Sequence, residues 1–313
     1  MTRLSSAKKQ IKQQFNINPD NYIEKNDLTA WRNNSDLNFV YNKMFICELQ
    51  KIDHAPMPIE PKSYPVVVKP IINLYGMGLN SKIINNKEEF YNNWLSNNFW
   101  SEYLVGDHLS WDFVIRKGKL IYSIVFQGFK FDDKERFGTF SYWELINHEM
   151  KIPDSINNLI KKYFKNYTGN LNIETIGNKI IEVHLRMGDI DQLPIPILKL
   201  IILNKVIDND NYDKIIKNAF HKFKSNKLNK IYLIPVWYKI KPNTDLTEIK
   251  EYLQQNWEKI IQKNDLIYFY YFDENSESYP GTNKRCFLFS TEYFDQINKL
   301  KYDIEYDLIK NFG

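Results

Sequence analysis

The chain has 313 residues, of which 43% are hydrophobic and 15% aromatic, and its formal net charge is +4. This apolar content excludes wholesale disorder, and the length allows two or three packed units. The positive charge is mild, spread over the chain and without a basic block, so we expect an anionic small ligand and no nucleic-acid partner. The two cysteines, Cys47 and Cys286, form no CxxC pair, which argues against a disulfide framework and a structural zinc site.

The N-terminal sequence and the apolar runs give no sign of export or membrane insertion. Residues 1–9 (MTRLSSAKK) lack the apolar core of a signal peptide. The longest apolar run, residues 195–203, is too short to span a bilayer and is interrupted by Pro196 and Lys199. We therefore expect a soluble cytoplasmic protein with no membrane partner.

Residues 1–60 predict an N-terminal helical segment, with helices near 6–15 and 37–51, followed by a proline-rich connector. Apolar spacing then predicts, in chain order, strands at 66–70 and 82–84, a helix at 87–98, a strand at 100–105, a hairpin of 109–116 with 120–126, a helix at 154–167, and a hairpin of 171–176 with 179–186. This order predicts an α+β fold with mostly antiparallel sheets, because a parallel sheet would need strands and helices in strict alternation.

After Pro194 the pattern changes to that of a separate small α/β unit. The predicted helices lie at 212–224, 244–263 and 291–300, and the predicted strands at 230–239, 266–272 and 285–290. The sequence therefore predicts three parts, with boundaries at residues 1–60, 61–195 and 196–313.

Residues 179–186 (KIIEVHLR) alternate apolar and polar side chains, so that Glu182, His184 and Arg186 project from one face of a strand. One interpretation is an ordinary half-exposed strand of an antiparallel sheet, which shows the same alternation. The other is a platform for a metal ion and phosphate, with Glu182 and His184 on Mg²⁺ and Arg186 on phosphate oxygens. The remaining motifs of the chain favour the second interpretation.

Four motifs, taken in their order and spacing, resemble the ATP-grasp superfamily over roughly residues 40–190. They are residues 64–70 (YPVVVKP), 76–78 (GMG), 101–106 (SEYLVG) and 182–186 (EVHLR). The resemblance implies an ATP-grasp fold, in which two α+β lobes enclose ATP and meet at a hinge near residues 101–106. The C-terminal α/β unit would be an addition to these lobes.

The resemblance assigns the phosphates of ATP to two lysines and a glycine loop. Lys69, at the end of a buried strand, can reach phosphate as a point charge, and Lys43 falls where similar proteins carry an earlier phosphate-binding lysine. A solvated surface position is the alternative for each lysine. Gly76 and Gly78 let backbone N–H groups approach phosphate oxygens, although a simple hairpin would show the same two glycines.

The resemblance places the adenine and ribose at the hinge. The backbone of Ser101 and Leu104 would bond the edge of the adenine, with Glu102 assisting. His108 stands where the family usually has a glutamate for the ribose hydroxyls. A neutral imidazole can also hydrogen-bond a hydroxyl, and Asp107 is the neighbouring alternative.

The metal ligands implied by the resemblance lie on the last two strands of the lobes. Glu182 matches the bridging metal carboxylate, whereas His184 stands where the family has asparagine. Because Mg²⁺ prefers oxygen donors, His184 leaves open Mn²⁺ tolerance, loss of a second metal, or direct contact with phosphate. The first metal ligand falls on Asn172 or Glu174. We prefer Glu174, because a site for Mg²⁺ and triphosphate needs two carboxylates. A three-residue turn would place Glu174 opposite Glu182, and a two-residue turn would not.

These assignments imply an ATP-dependent carboxylate–amine (or carboxylate–thiol) ligase acting on a small-molecule carboxylate and an amine. ATP would phosphorylate the carboxylate, and a nucleophile would then attack the acyl phosphate. Arg186 and Lys69 would stabilise the phosphoryl group in transfer. Two alternatives stay open: a small-molecule kinase on the same platform, and a non-catalytic ATP-binding homologue in which His108 and His184 mark lost chemistry. The sequence names neither the acceptor nor the oligomeric state.

Overall fold

The chain forms two compact units. The structure is a computed structural model, and it describes residues 8–13, 24, 26–76, 78, 80–131, 139–146, 150–188, 230–239, 241, 244–267, 269–272 and 283–313. One unit comprises residues 1–127 and 146–227, and the other comprises residues 128–145 and 228–313. This division groups residues 140–145 with the C-terminal elements, and the boundaries predicted at residues 60 and 195 stay a prediction. The helix predicted at 212–224 lies outside the described residues.

The described helices are Asp27–Asn33 (α1), Lys43–Gln50 (α2), Lys87–Asn92 (α3), Asp154–Tyr163 (α4), Leu246–Asn256 (α5), Glu258–Gln262 (α6) and Phe294–Phe312 (α7). Residues 8–13 are also helical, and Ser35–Tyr41 forms a 3-10 helix. The described strands are His54–Pro56 (β1), Val66–Pro70 (β2), Lys82–Ile84 (β3), Asn98–Glu102 (β4), His108–Arg116 (β5), Lys119–Lys130 (β6), Phe140–Leu145 (β7), Gly169–Ile176 (β8), Lys179–His184 (β9), Tyr232–Lys239 (β10), Phe269–Phe272 (β11) and Asn283–Thr291 (β12).

Asn42 divides the helix predicted over residues 37–51 into the 3-10 helix and α2. Its backbone is extended, and its side-chain oxygen accepts hydrogen bonds from the backbone N–H groups of Met44 and Phe45 at 3.0 and 3.2 Å. An asparagine in this conformation caps the helix that follows it. The prediction of one continuous helix is therefore wrong, because apolar periodicity does not reveal a cap inside the pattern.

The first unit contains a four-stranded antiparallel sheet in the order β1-β4-β2-β3. A small core that includes Val68, Trp100 and Phe90 joins α3 to this sheet. The helix predicted over residues 87–98 ends at Asn92, because β4 begins at Asn98 and pairs with both β1 and β2. Lys69 and Pro70 end strand β2.

The same unit contains a second arrangement of strands in the order β6-β5-β8-β9. Both predicted hairpins are therefore confirmed, since β5 lies beside β6 and β8 beside β9. A core that includes Trp111, Leu171 and Ile173 packs these strands against α4, which contributes buried leucine and isoleucine side chains. Because side chains alternate along a strand, Asn172 and Glu174 of β8 lie on the face opposite this core.

The second unit is built on strands in the order β11-β12-β10-β7, all antiparallel to their neighbours. Its core includes Val236 and Phe289 and is lined by residues of α5, α6 and α7. The long helix predicted over 244–263 is interrupted at Trp257, whose indole N–H donates to Asp307 at 2.8 Å. The helix predicted at 291–300 begins at Phe294 and continues to Phe312. None of the helices that the structure describes is long and apolar enough to cross a membrane.

Candidate active site

Three adjacent strands of the first unit, β5, β8 and β9, place two rows of polar side chains on one face. Residues that pair directly across antiparallel strands share a face, so their side chains lie next to each other. The two rows are Asp112–Asn172–His184 and Ser110–Glu174–Glu182. Four of these six side chains can ionise. Asp112 and His184 are buried and the other two are partly buried, and charges removed from water require partners. The face is therefore a candidate site and not a plain core surface.

The pairing of Glu174 with Glu182 depends on a β-bulge. Gly177 and Asn178 form a two-residue turn, and Ile176 pairs with Lys179. A regular two-residue hairpin would leave the two glutamates out of register, as expected from the sequence. The structure contains a register shift between Glu174 and Thr175. Thr175 pairs with Ile180, one extra residue of β9 is accommodated, and Glu174 therefore faces Glu182. The preferred placement of Glu174 is thus observed, but through a bulge and not through a longer turn.

Glu182 lies between two basic side chains. Its Oε1 is 3.4 Å from Nζ of Lys43, and its Oε2 is 3.2 Å from Nε2 of His184. Burial acts to raise the pKa of Glu182, but Lys43, His184 and Lys69 outweigh it and hold the pKa well below its usual value. The carboxylate is therefore charged at neutral pH.

His184 joins Glu182 to an aspartate of the N-terminal segment. Its Nδ1 is 3.0 Å from Oδ1 of Asp27, and its side chain is almost fully buried. Burial acts to lower the pKa of His184, but the charge of Asp27 and the hydrogen bonds to Asp27 and Glu182 outweigh it and raise the pKa to about 9. The ring is therefore charged at neutral pH, and the two carboxylates flank it.

Asp27 is a site residue that the sequence did not reveal. It is 2% exposed, and its carboxylate accepts hydrogen bonds from Tyr41 at 3.1 Å and from Nη2 of Arg186 at 2.6 Å. Burial acts to raise the pKa of Asp27, but His184 and Arg186 outweigh it and hold the pKa well below its usual value. Asp27 precedes His184 by 157 positions, so no local spacing could have linked the two residues.

Arg186 and Tyr41 complete the surroundings of Asp27. Arg186 also donates from Nη1 to its neighbour's carbonyl oxygen, that of Met187, at 2.9 Å. The hydroxyl of Tyr41 accepts the backbone N–H of Leu185 at 3.1 Å, which ties the N-terminal segment to the end of β9. Burial, together with the charge of Asp27, raises the pKa of Tyr41 far above its usual value, so this hydroxyl stays protonated.

The two lysines predicted to bind phosphate both lie near Glu182. Lys43 begins α2 and forms the ion pair with Glu182 described above. Lys69 comes from the four-stranded sheet and is 9% exposed. Burial lowers the pKa of Lys69, and the nearby charge of Glu182 opposes that shift. Lys69 of strand β2 thus lies close enough to Glu182 of strand β9 for their charges to interact.

His108, the residue predicted to bind the ribose, and Asn172 of the polar face each have a carboxylate partner. Nε2 of His108 is 2.9 Å from Oε2 of Glu174. Asp112, which the sequence did not single out, accepts hydrogen bonds from the side chain of Asn172 at 2.9 Å and from the backbone N–H of Gly188 at 2.7 Å. Asn172 therefore points its amide nitrogen at Asp112. The bond from Gly188 to Asp112 ties the segment after β9 to β5.

The predicted hinge and glycine loop lie at the ends of the four-stranded sheet. Ser101 is buried in β4, and Glu102 ends that strand with its backbone N–H bonded to the carbonyl of Asp53 at 2.9 Å. Leu104 follows the strand and is half-buried. Gly76 and Gly78 have φ values of 73° and 62°, a backbone conformation that favours glycine.

Glu174 and Glu182 suit a divalent cation that takes most of its ligands from phosphate oxygens and water. Within the described ranges, no three or more His, Cys, Asp or Glu side chains are arranged as a metal site. Glu174 and Glu182 nevertheless face each other across two strands. Mg²⁺ is commonly bound by one or two carboxylates plus phosphate oxygens and water, and these two residues suit that pattern.

No protein-family model and no curated protein sequence matches the chain. Solved structures do match it. The L-amino acid ligase from Bacillus licheniformis aligns with a TM-score of 0.56 and 11% identity, over 89% of this chain and 76% of that chain. N5-carboxyaminoimidazole synthase from Aspergillus clavatus, solved in complex with ADP and 5-aminoimidazole ribonucleotide, aligns with a TM-score of 0.55 and 11% identity, over 88% of this chain and 75% of that chain. N5-carboxyaminoimidazole synthetase from Staphylococcus aureus aligns with a TM-score of 0.51 and 10% identity, over 86% of this chain and 72% of that chain.

The chain therefore has the ATP-grasp fold, as the four sequence motifs predicted. The α+β class with antiparallel sheets is likewise confirmed. With identities of 10–11%, these alignments show the fold alone.

Proposed function

We propose that the protein is an ATP-dependent ligase that activates a small carboxylate as an acyl phosphate for attack by an amine or a thiol. The observation that carries this proposal is the convergence of Lys43, Lys69 and Glu174 around the Glu182 carboxylate on an ATP-grasp fold. The ligase and synthase activities in the names of the similar solved structures support it.

The nucleotide would bind along the four-stranded sheet. Ser101, Glu102 and Leu104 would hold the adenine, and His108 the ribose. Lys43, Lys69 and the loop with Gly76 and Gly78 would contact the phosphates, since ammonium groups and backbone N–H groups both bind phosphate oxygens. Glu174 and Glu182 would hold Mg²⁺, or Mn²⁺ in its place, which neutralises phosphate charge when bound. Asn172 and His184 complete the set of metal ligands predicted from the sequence.

In the first step, a carboxylate oxygen of the substrate forms a bond to the γ-phosphorus while the bond to the β–γ bridging oxygen breaks, which gives ADP and an acyl phosphate. Lys69 and Arg186 would stabilise the charge that develops on the phosphoryl oxygens. In the second step, a neutral amine forms a bond to the acyl carbon, and phosphate leaves with the former carboxylate oxygen. The amine then loses a proton to water, so this step requires no side chain as a base.

ADP release across a panel of amino acids and small carboxylates, each with and without an added amine, tests the proposal. A ligase releases ADP in proportion to product only when both substrates are present. A kinase needs one acceptor, and a non-catalytic homologue binds ATP without forming ADP from any mixture. Sustained ADP release with a single carboxylate that carries no amine or thiol, or none with any pair, would contradict the proposal. The cytoplasmic location stays a prediction.

A further inference from the structure

A side chain of α2 holds the outer edge of β9 at its β-bulge. Among the described strands, β9 pairs with β8 alone, so the backbone groups of β9 that face away from β8 need other partners. At Ile180 both partners come from Gln50. The side-chain Oε1 accepts the backbone N–H of Ile180 at 2.7 Å, and Nε2 donates to its carbonyl oxygen at 2.9 Å. A backbone N–H only donates and a carbonyl only accepts, so these two bonds fix the orientation of the Gln50 amide.

The bulge decides which way Glu182 points. Ile180, Val183 and Leu185 all lie in the core that packs these strands against α4. Side chains alternate along a strand, so two residues three positions apart reach the same face only if an extra residue is accommodated between them. The bulge accommodates that residue directly before Glu182 and places its side chain on the polar face, opposite Glu174. Gln50 therefore holds the start of the segment that carries Glu182.

Helix α2 is bonded near the candidate site at both of its ends. At its last residue, the backbone carbonyl of Gln50 accepts from Nζ of Lys179 at 3.0 Å, in addition to the two side-chain bonds. At its first residue, the backbone N–H of Lys43 donates to the carbonyl of Ile71 at 3.0 Å, and Nζ of Lys43 lies 3.4 Å from Glu182. Ile71 directly follows β2, so the helix joins the bulge of β9 to the end of β2.

We propose that Gln50 is a positioning residue, which holds the bulge of β9 against α2 and so sets the place of the Glu182 carboxylate relative to Lys43 and Lys69. This inference rests on the proposed function, because it concerns how Glu182 is placed for phosphoryl transfer. Gln50 acts through the backbone of Ile180 and takes no part in the chemistry itself. A misplacement of about 1 Å, caused by a change far from the reacting atoms, can cost about 100-fold in rate.

The test variant is Gln50→Met, which keeps the length of the side chain and removes both bonds to Ile180. The full chain is assayed at a temperature at which circular dichroism shows every variant to be folded. We expect kcat for ADP release to fall by about 10–100-fold. The KM for ATP should stay within about three-fold, because the lysines, the glycine loop and the hinge lie outside β9. A merely structural bond would lower the urea midpoint and leave kcat of the folded protein unchanged, and that result would overturn the inference.

Ser155→Ala is the matched control. The hydroxyl of Ser155, on α4, donates to the carbonyl of Asn178 at 2.9 Å, so it also ties a helix to this hairpin, but at the turn and not at the bulge. Its kcat should stay within about two-fold of the wild-type value. Equal losses of kcat in Ser155→Ala and Gln50→Met would show a general loosening of the hairpin and would overturn the inference.

Amide hydrogen exchange, measured by NMR without nucleotide or metal, gives a readout that is independent of activity. Gln50→Met should speed exchange of the Ile180 N–H by about 10-fold or more, and Ser155→Ala should not, because exchange reports local opening of the bond that is lost. Unchanged exchange in Gln50→Met would overturn the inference. Gln50→Glu, which keeps an acceptor for this N–H and loses the donor to the carbonyl, is a second variant judged by the same criteria. If the wild-type chain releases no ADP with any substrate pair, the proposed function fails, and the exchange comparison still decides whether Gln50 holds the bulge.

Discussion

Glu182→Gln should lower the rate of ADP formation by about 10³-fold, a loss typical of a group that stabilises transition-state charge. The substitution keeps the shape of the side chain and removes its negative charge. Lys43 and His184 would lose the carboxylate that they flank, and the bound cation would lose one of its two carboxylates. The measurement is kcat/KM for ADP release with the best substrate pair from the panel.

Glu48→Gln is the matched control for this experiment. Glu48 lies on α2, the helix that begins with Lys43, but 80% of its side chain is exposed. Its substitution should leave kcat/KM within about two-fold, because the charge of an exposed side chain is screened by solvent and salt. If Glu182→Gln and Glu48→Gln were equally active, Glu182 would have no role in the chemistry.

Asp27→Ala should lower the free energy of unfolding by about 3–5 kcal/mol, the usual effect of removing one partner of a buried ion pair. Asp27 is almost fully buried and accepts from Tyr41, His184 and Arg186. Its removal would leave the buried His184 and the partly buried Arg186 without their shared carboxylate. Urea unfolding, followed by circular dichroism, gives the free energy for each variant.

Asp36→Ala provides the comparison, since Asp36 lies in the adjacent 3-10 helix and is exposed. Exposed substitutions of this kind usually change stability by about 0.5 kcal/mol or less. A loss for Asp27→Ala no greater than that for Asp36→Ala would mean that the network around Asp27 does not contribute to folding stability.

The sequence was most informative where a residue's role follows from its immediate neighbours. The alternation of residues 179–186 predicted the shared face of Glu182 and His184, and a run of valines before Lys69 predicted strand β2. These patterns repeat within one strand, so they need no knowledge of distant residues. The order of such segments predicted the α+β class, and the resemblance of four motifs to the ATP-grasp superfamily predicted the particular fold.

The sequence was least informative where the site depends on contacts between distant segments. Asp27 reaches His184 through tertiary packing, and Asp112 reaches Gly188 in the same way. Neither carboxylate belongs to a motif, so nothing local distinguished it from a surface aspartate. The β-bulge that aligns Glu174 with Glu182 was equally hidden, because the turn sequence left the register of the two strands open.

The fate of one oxygen atom tests the central claim most directly. The active carboxylate substrate is prepared with ¹⁸O in its carboxyl group, and the phosphate released with its amine partner is examined by mass spectrometry. Formation and aminolysis of an acyl phosphate predict one ¹⁸O atom in each phosphate released. Phosphate without ¹⁸O would show that ATP is cleaved by water or that the carboxylate is never phosphorylated, and would contradict the proposed ligase.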